Sequence, residues 1–458
     1  MAVSKVILNG VTEIDLTGDT ATAQDVAQGK TFHLASGVQG AGTATGGSEA
    51  ADEKDVNFYD YDGTIVYSYT ATEFANLSAL PANPSHNGLT AQGWNWTLAN
   101  AKIYVSNYGK LNIGQAYVTA SGDTEIDVEF CDSARLSPLL SLGVNGTVTI
   151  DWGDNTSQNT VTGSSLTTLI GTAHTYANKG AYTIKIHKVS GSFTIIGSSS
   201  ITPLYKNTTA NQNIVYANCI RNVRIGTGIT NIGTYAFNSC SGLRTITIPT
   251  NIVKIDSYAF YKCYSLEFIS IPSTVSTIGS YTFDSCTSLT AVSLARETPL
   301  VLYMFNNCYS LRFVAVTDNT SSIAGNAFQS CRSLYSVIVP STITSFGTYV
   351  FSSCGALATL TIPSSVSTIS NYLCSSCSSL ASITIPSSIT KINKYAFSYC
   401  YGLSEIHFKP TTPPTLDATS VFSSLPTDCK IYVPTGKLSA YTSADYYPDS
   451  NTYTYIEE

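Results

Sequence analysis

The residues of this chain that could do chemistry are twelve cysteines, five histidines and a few paired carboxylates. Cys374-Ser-Ser-Cys377 has the C-x-x-C spacing of redox and metal sites. Asp151 and Asp154 bracket Trp152-Gly153 and offer two hard oxygen ligands of the kind calcium takes. Trp94 and Trp96 offer aromatic faces on which a sugar could stack. His33, His86, His174, His187 and His407 are scattered, none beside a nucleophile in a recognisable motif, and no G-x-S-x-G, H-E-x-x-H or phosphate-cradling glycine loop is present. Paired carboxylates of a glycan hydrolase need only face each other in space, so sequence spacing would not reveal them.

The elements that must position these groups argue against most of that chemistry. Cys240, Cys263, Cys286, Cys308, Cys331, Cys354, Cys377 and Cys400 are spaced by 23 residues with a single 22. Leucine follows each cysteine by three residues (Leu243 through Leu403), and phenylalanine precedes it by three at Phe237, Phe260, Phe283, Phe305, Phe328, Phe351 and Phe397. A fixed period of this length marks a solenoid, in which each unit buries its apolar side only against its neighbours. Cys377 belongs to the ladder and Cys374 fills a phenylalanine slot, so both read as inert buried thiols, as do the other ladder cysteines. Stacked equivalent side chains point the same way, which bridging does not favour.

One repeat shows how a coil forms. Leu266, Ile269 and Ile271 share one side of a short strand rich in β-branched residues. Pro272 ends it, because proline donates no ladder hydrogen bond, and Ser273-Thr274 supplies turn chemistry. Val275 and Ile278 form a second apolar pair, and Ser280 to Phe283 reads as one or two helical turns. The pattern IP-SxV-xxIgxyaFxxCxsL resembles the BspA-type leucine-rich repeat family over residues 214 to 458, and Lys430 to Tyr441 resembles that family's C-terminal cap. The isoleucine-proline pair is lost around Ala295 to Pro299, where an irregular coil is expected.

Charged residues make up only 12% of the chain, and 23 basic against 30 acidic residues leave a net charge of −7. The basic footprint of a nucleic-acid partner is missing. No apolar run is long enough for a membrane span, and the first residues lack the apolar core of a signal peptide, so no membrane insertion and no classical export are expected. No cofactor or metal is called for.

The chain reads as multidomain and mainly β. Residues 1–48 form an N-terminal attachment module with a Gly-rich linker, in which Thr22 caps a brief helix ended by Gly29. Its Asp25-Val26-x-x-Gly29-Lys30-Thr31-Phe32 stretch resembles modules of phage tail and tail-fibre proteins of Firmicutes phages. Residues 49–124 form a small aromatic-rich α+β module, with a hairpin at Asp62-Gly63 and a helix opened by Thr97 and stopped by Gly109. Within it, the stretch from Gly88 to Gln115 resembles a module preceding leucine-rich repeats in gut-phage proteins. Residues 125–197, with Trp152-Gly153-Asp154, His174-x-Tyr176 and Gly180-Ala181-Tyr182-Thr183-Ile184, resemble a PKD-type β-sandwich, which implies a spacer. The solenoid spans 198–428 and its cap 429–458.

Absent export and the phage-like modules point to a virion protein of the tail fibre or baseplate: residues 1–48 contact other tail proteins in a symmetric assembly such as a homotrimer, and the solenoid recognises a bacterial surface protein or glycan. A BspA-type surface adhesin exported nonclassically is the alternative, and a surface-glycan hydrolase the third. Residues two and four after each ladder leucine point away from the core and are mostly small, but Phe268, Phe313 and Ile338 are large and apolar. They are expected to be exposed on the sheet face, flanked by Tyr264, Tyr309 and Tyr335, as a partner-binding cluster; the other reading packs them on a neighbouring subunit or the irregular coil.

Overall fold

The computed structural model describes residues 54–205, 216–296 and 298–458, and of the first 53 residues only two strand pairs, Lys5–Leu8 with Thr12–Asp15 and Thr31–His33 with Gln39–Ala41. The helix expected after Thr22 and the attachment role of residues 1–48 lie outside the described residues.

The aromatic-rich module consists of β1 (Val56–Tyr59), β2 (Ile65–Tyr69), α1 (Ala71–Ala75), β3 (Leu89–Trp94), α2 (Leu98–Tyr108) and β4 (Leu111–Thr119), with sheet order β2-β1-β4-β3. Its hairpin turns where Asp62-Gly63 required, with Gly63 at φ +88° and the Asp60 N–H donating to Thr64 O at 2.9 Å. The Thr97 hydroxyl caps α2 by accepting from the Asn100 N–H at 3.3 Å, and Gly109 at φ +84° ends it. Phe58, Phe74, Ala101, Leu111 and Ile113 fill the core between helices and sheet.

Beyond it, β5 (Thr124–Phe130), β6 (Leu139–Asp151), β7 (Asn159–Ala173), β8 (Gly180–Ile195), β9 (Leu204–Tyr205), β10 (Ile220–Arg224) and β11 (Thr245–Thr247) make one hydrogen-bonded sheet of order β7-β6-β8-β5-β10-β11, with β9 against β6. Where a PKD-type sandwich was expected, the hydrogen bonding runs through all of these strands as one continuous ladder. The strand β10 pairs antiparallel with β5 and parallel with β11, so it welds this sheet to the first coil of the solenoid. Ile126, Val128, Val144 and Phe193 share one core with Val223, Ile246 and the coils beyond. The unit thus closes the open apolar end that any solenoid presents. Its Trp-Gly-Asp and His-x-Tyr residues form a structural knot: Trp152 stacks on His174 at 4.7 Å and the Tyr176 hydroxyl donates to Trp152 O at 3.0 Å.

The coils carry β11, β12 (Phe268–Ile271), β13 (Ala291–Leu294), β14 (Phe313–Ala315), β15 (Ser336–Ile338), β16 (Ser382–Ile385) and β17 (Glu405–Phe408) on one side. Pairing is parallel and in register, as in Ile269 with Val292 and Ile383 with Ile406. Each proline carbonyl then accepts from the third residue on, Val275 N–H to Pro272 O at 3.1 Å and Val366 N–H to Pro363 O at 3.1 Å, which turns the chain. A second ladder of short strands comes next, for example Lys254–Ile255 beside Thr277–Ile278.

The third side is not helical, contrary to expectation. Two non-glycine residues per coil are left-handed, Tyr258 (φ +60°) and Lys262 (φ +60°) in one coil, Tyr281 (φ +61°) and Ser285 (φ +63°) in the next. Every second N–H is thereby aimed along the solenoid axis: Tyr258 N–H donates to Ser280 O at 3.1 Å, Phe260 N–H to Thr282 O at 2.9 Å and Lys262 N–H to Asp284 O at 2.9 Å. A left-handed residue costs about 1–2 kcal/mol. Three intercoil bonds of about 1 kcal/mol each offset most of that, and ring stacking adds more. Phe237, Phe260, Phe283, Phe305, Phe328 and Phe351 form one spine with centroids 5.2–5.7 Å apart, and Tyr235, Tyr258, Tyr281 and Tyr303 a second at 4.3–4.7 Å. Sequence reasoning missed this wall because left-handed residues four positions apart at Tyr258 and Lys262 have no propensity signature.

At the expected irregular coil, β13 and β14 keep one register pair, Ala291 with Phe313, whereas β12 and β13 keep four and β14 and β15 three. The chain end adds β18 (Lys430–Val433), α3 (Leu438–Thr442) and β19 (Thr454–Glu457), with Tyr441 buried against Phe408.

Candidate functional site

The sheet face of the solenoid is divided in two. Over its first half lies the aromatic-rich module, whose β4 crosses β12 and β13. Gly114 makes this approach possible, since a Cβ there would run into the Ser270 hydroxyl and Ser293 Cβ. The seam is hydrogen-bonded to solenoid backbone: the Asn95 amide donates to Ile271 O at 3.1 Å, the Trp96 indole N–H to Leu294 O at 2.8 Å and the Tyr104 hydroxyl to Val316 O at 2.6 Å. The Ser293 hydroxyl donates to Asn112 O at 2.8 Å.

The expected exposed cluster is therefore corrected. Phe268 is 2% and Phe313 5% exposed, and Phe268 stacks on Tyr59 at 4.9 Å, while Ile338 packs against the module core. These residues do leave the solenoid core, but the module of the same chain covers them, not a neighbouring subunit or the irregular coil. Of the flanking tyrosines, Tyr264 and Tyr309 are exposed, with the Arg332 guanidinium 4.6 Å over the Tyr309 ring, and Tyr335 is half-buried. Trp96 belongs to the seam, and Trp94 donates its indole N–H to Pro81 O at 2.9 Å with its ring edge-on to Phe58, so neither is a sugar platform.

Past the module the face opens. Thr359, Thr361, Ser382 and Thr384 present hydroxyls to solvent, followed by His407 stacked on Tyr432 at 4.3 Å. Glu458 accepts from Lys409 Nζ at 2.6 Å and lies 3.1 Å from His407 Nδ1; those partners hold its carboxyl below the usual range although burial opposes them.

On the sheet that caps the solenoid, Asp127, Glu129, Thr183, Lys185, Arg221 and Asn222 line a cleft of about 600 Å³. Arg224 grips Asp127 through two N–H donors at 2.6 and 2.7 Å. Burial would raise the Asp127 carboxyl, but the bonds and charge of Arg224, with Thr183 and Asn222, hold it below its usual 3.8. Arg221 pairs with Glu129 at 2.9 Å and Lys185 with Glu125 at 3.6 Å, so this cleft is a neutralised lattice of ion pairs.

The eight ladder thiols have no solvent exposure. From Cys263 onward each donates to a carbonyl of the preceding coil, Cys263 to Phe237 O at 3.1 Å, Cys331 to Phe305 O at 3.2 Å, Cys400 to Cys374 O at 3.1 Å. Burial pushes the Cys240, Cys263, Cys286 and Cys354 thiols well up, away from the thiolate that redox or metal chemistry needs. Asp151 and Asp154 accept from the Gly153 and Thr156 N–H groups, and Asp154 also binds His174 at 2.8 Å, so both carboxylates serve the turn. The described histidines sit apart, His86 on Asp60, His174 on Asp154, His187 on Asp123 and His407 on Glu458, and among the described residues no serine, threonine or cysteine is bonded to their rings.

Against known proteins, the family model of the BspA type leucine rich repeat region matches residues 208–301 and 298–415, in six copies. No curated protein matches the chain. Solved structures similar to it include a leucine-rich repeat protein from Bacteroides ovatus (21% identity, 52% of this chain and 85% of that one, TM-score 0.27). A leucine rich cell surface protein from Faecalibacterium prausnitzii (22%, 59% and 89%, TM-score 0.28) and the pneumococcal vaccine antigen PcpA (18%, 51% and 66%, TM-score 0.36) are also similar. With the period, the thiol ladder and the parallel coils in place, residues 208–415 of this chain are similar to the BspA-type leucine-rich repeat region.

Proposed function

We propose that this chain is a non-enzymatic recognition protein that adheres to a surface partner through its solenoid, as the BspA-type surface-protein family suggests. The observation that carries it is the open half of the sheet face, where Thr359, Thr361, Ser382 and Thr384 stand clear of any other part of the described chain. A rigid ladder of hydroxyls beside the His407–Tyr432 stack suits polar recognition over several coils. Fluorescently labelled chain should adsorb saturably to bacterial or host-cell surfaces, and Thr361→Arg with Thr384→Arg should abolish adsorption while leaving the melting temperature unchanged. Absence of saturable adsorption to either surface rejects the reading.

A second reading puts the same recognition role on a phage tail, exposed to the bacterial host. Its support is the Asp25 to Phe32 resemblance, which lies outside the described residues. Tail particles that carry the full chain but lose it on deletion of residues 1–48 would favour this reading over the surface adhesin. Release of reducing sugar from cell walls would instead revive the hydrolase.

A further inference from the structure

The coils of the solenoid are not joined equally. Ser336–Ile338 pairs with the coil before it and Ser382–Ile385 with the coil after it, but Thr359 to Ile362, which lies between them, pairs with neither. The second ladder is interrupted at the same place: Ser345–Phe346 pairs back to Ser322–Ile323, and Thr368–Ile369 pairs forward to Lys391–Ile392. Elsewhere one ladder covers for the other, as Lys254–Ile255 stays on Thr277–Ile278 where Thr245–Thr247 and Phe268–Ile271 do not pair. Among the described residues, the step from the coil of Leu334 to the coil of Leu357 is the one with no strand pair in either ladder. On those two sides it is crossed by corner bonds, Ala356 N–H to Arg332 O at 3.1 Å and Ala358 N–H to Tyr335 O at 3.3 Å, and by serine hydroxyls, Ser365 donating to Ser341 O at 2.9 Å and Ser370 to Gly347 O at 2.7 Å. The third wall is complete. Tyr349 N–H donates to Asn371 O at 3.1 Å, Phe351 N–H to Leu373 O at 2.9 Å and Ser353 N–H to Ser375 O at 2.7 Å, and Tyr349 stacks on Tyr372 at 4.3 Å.

The core supplies the cause. Phe346 occupies the slot that Ile255, Ile278, Ile323 and Ile369 fill in other coils, and its ring stands edge-on to Phe351 at 6.2 Å. A ring in a slot shaped for isoleucine overfills it and pushes the walls apart. One coil on, Cys374 replaces a phenylalanine, so the spine of stacked rings stops at Phe351. The opening reaches the core: Val337, Val339, Phe346, Leu360 and Ile362 are 6–8% exposed, whereas Ile269, Ile271, Ile383 and Ile385 are at most 2%. Two loosened walls and one intact wall make a fold that opens like a book on its spine, and opening it costs few hydrogen bonds. The step also falls where the module ends. Ile338 packs against the module core from the near side, and Thr359, Thr361, Ser382 and Thr384 all lie on the far side. We propose that this step is a hinge about the third wall, on which the open half of the sheet face and the C-terminal end of the chain tilt as one body against the half that carries the module. It holds whatever the open half binds.

Hydrogen exchange on the full chain reads the loosened walls. Amides of Thr359 to Ile362 and Ser367 to Ser370 should exchange at least about tenfold faster than those of Glu405–Phe408, a strand paired on both sides, while Phe351 and Ser353 stay protected. Motion of the two bodies is read by electron–electron resonance between nitroxides at Glu267→Cys and Ser404→Cys in a Cys131→Ser background. Both positions are exposed, and coil spacings of about 5 Å put them roughly 30 Å apart across the hinge. The parent should give a broad distance distribution, and Phe346→Ile, which restores the residue other coils use, should narrow it about twofold and slow the exchange at Thr359 to Ile362. Protection of Thr359 to Ile362 equal to that of Glu405–Phe408, or a distribution in the parent already as narrow as in Phe346→Ile, overturns the hinge. Fast exchange with a narrow distribution overturns it too, since the strand would then fray without any movement of the two bodies. The parent measurements decide these points even if the variant folds poorly.

Discussion

Two halves of one sheet face have been put to different uses. From Phe268 to Ile338 the outward residues include aromatic and aliphatic side chains and lie beneath β4 and α2 of the module, whereas from Thr359 to Thr384 they are hydroxyls in solvent. The inward residues are alike throughout, Leu266, Ile269 and Ile271 in one half and Leu380, Ile383 and Ile385 in the other, all buried. A solenoid core is thus indifferent to what its outer face does, since each coil is stabilised by its neighbours. The outer face is free to vary, and the covered half has become a second core while the open half has stayed a surface.

That contrast predicts a steep difference in sensitivity to substitution. Trp96→Ala, which empties the seam and orphans Leu294 O, should cost about 3–5 kcal/mol in chemical denaturation. The same experiment on Gly114→Ala should cost about 1–3 kcal/mol, as the added methyl collides with Ser270 and Ser293. If either variant were as stable as the parent, the module would not be docked as described.

A buried thiol whose folded pKa is raised favours folding below its unfolded value and loses that contribution as pH rises past it. Cys240, Cys263, Cys286 and Cys354 depart upward from an ordinary 9.0, so stability should fall above pH 9, by about 1.4 kcal/mol per thiol for each further pH unit. Thiol reagents should label Cys131, the one exposed cysteine among those described, well before the ladder. Rapid labelling of the ladder in folded protein at neutral pH would contradict its burial.

Asp127 behaves in the opposite sense. Its carboxyl is held below 3.8 by Arg224, so the pair's contribution is complete at neutral pH and is lost as pH falls through that folded value. Arg224→Gln should flatten the acid limb of the stability profile without touching the alkaline one. The smallest effect belongs to the open half, where Thr361→Ala and Thr384→Ala should each shift stability by no more than about 0.5 kcal/mol.

The period of the cysteine, leucine and phenylalanine ladders by itself specified the coils, their register and the burial of every ladder thiol, because a repeat that stacks must place equivalent residues alike. The Asp62-Gly63 turn and the Thr97 and Gly109 limits of α2 were equally legible, since they rest on local backbone preferences. Three things were not. The left-handed wall exists only because successive coils accept its N–H groups, so Tyr258 and Lys262 give no local sign of it. The sheet of residues 124–205 caps the solenoid because β10 bonds to partners on both sides, a pairing its own residues do not specify. The fate of Phe268 was decided by residues some 200 positions earlier in the chain. Alternation along a strand tells which side chains leave a core; whether water or another part of the protein waits beyond them is a matter of tertiary contact alone.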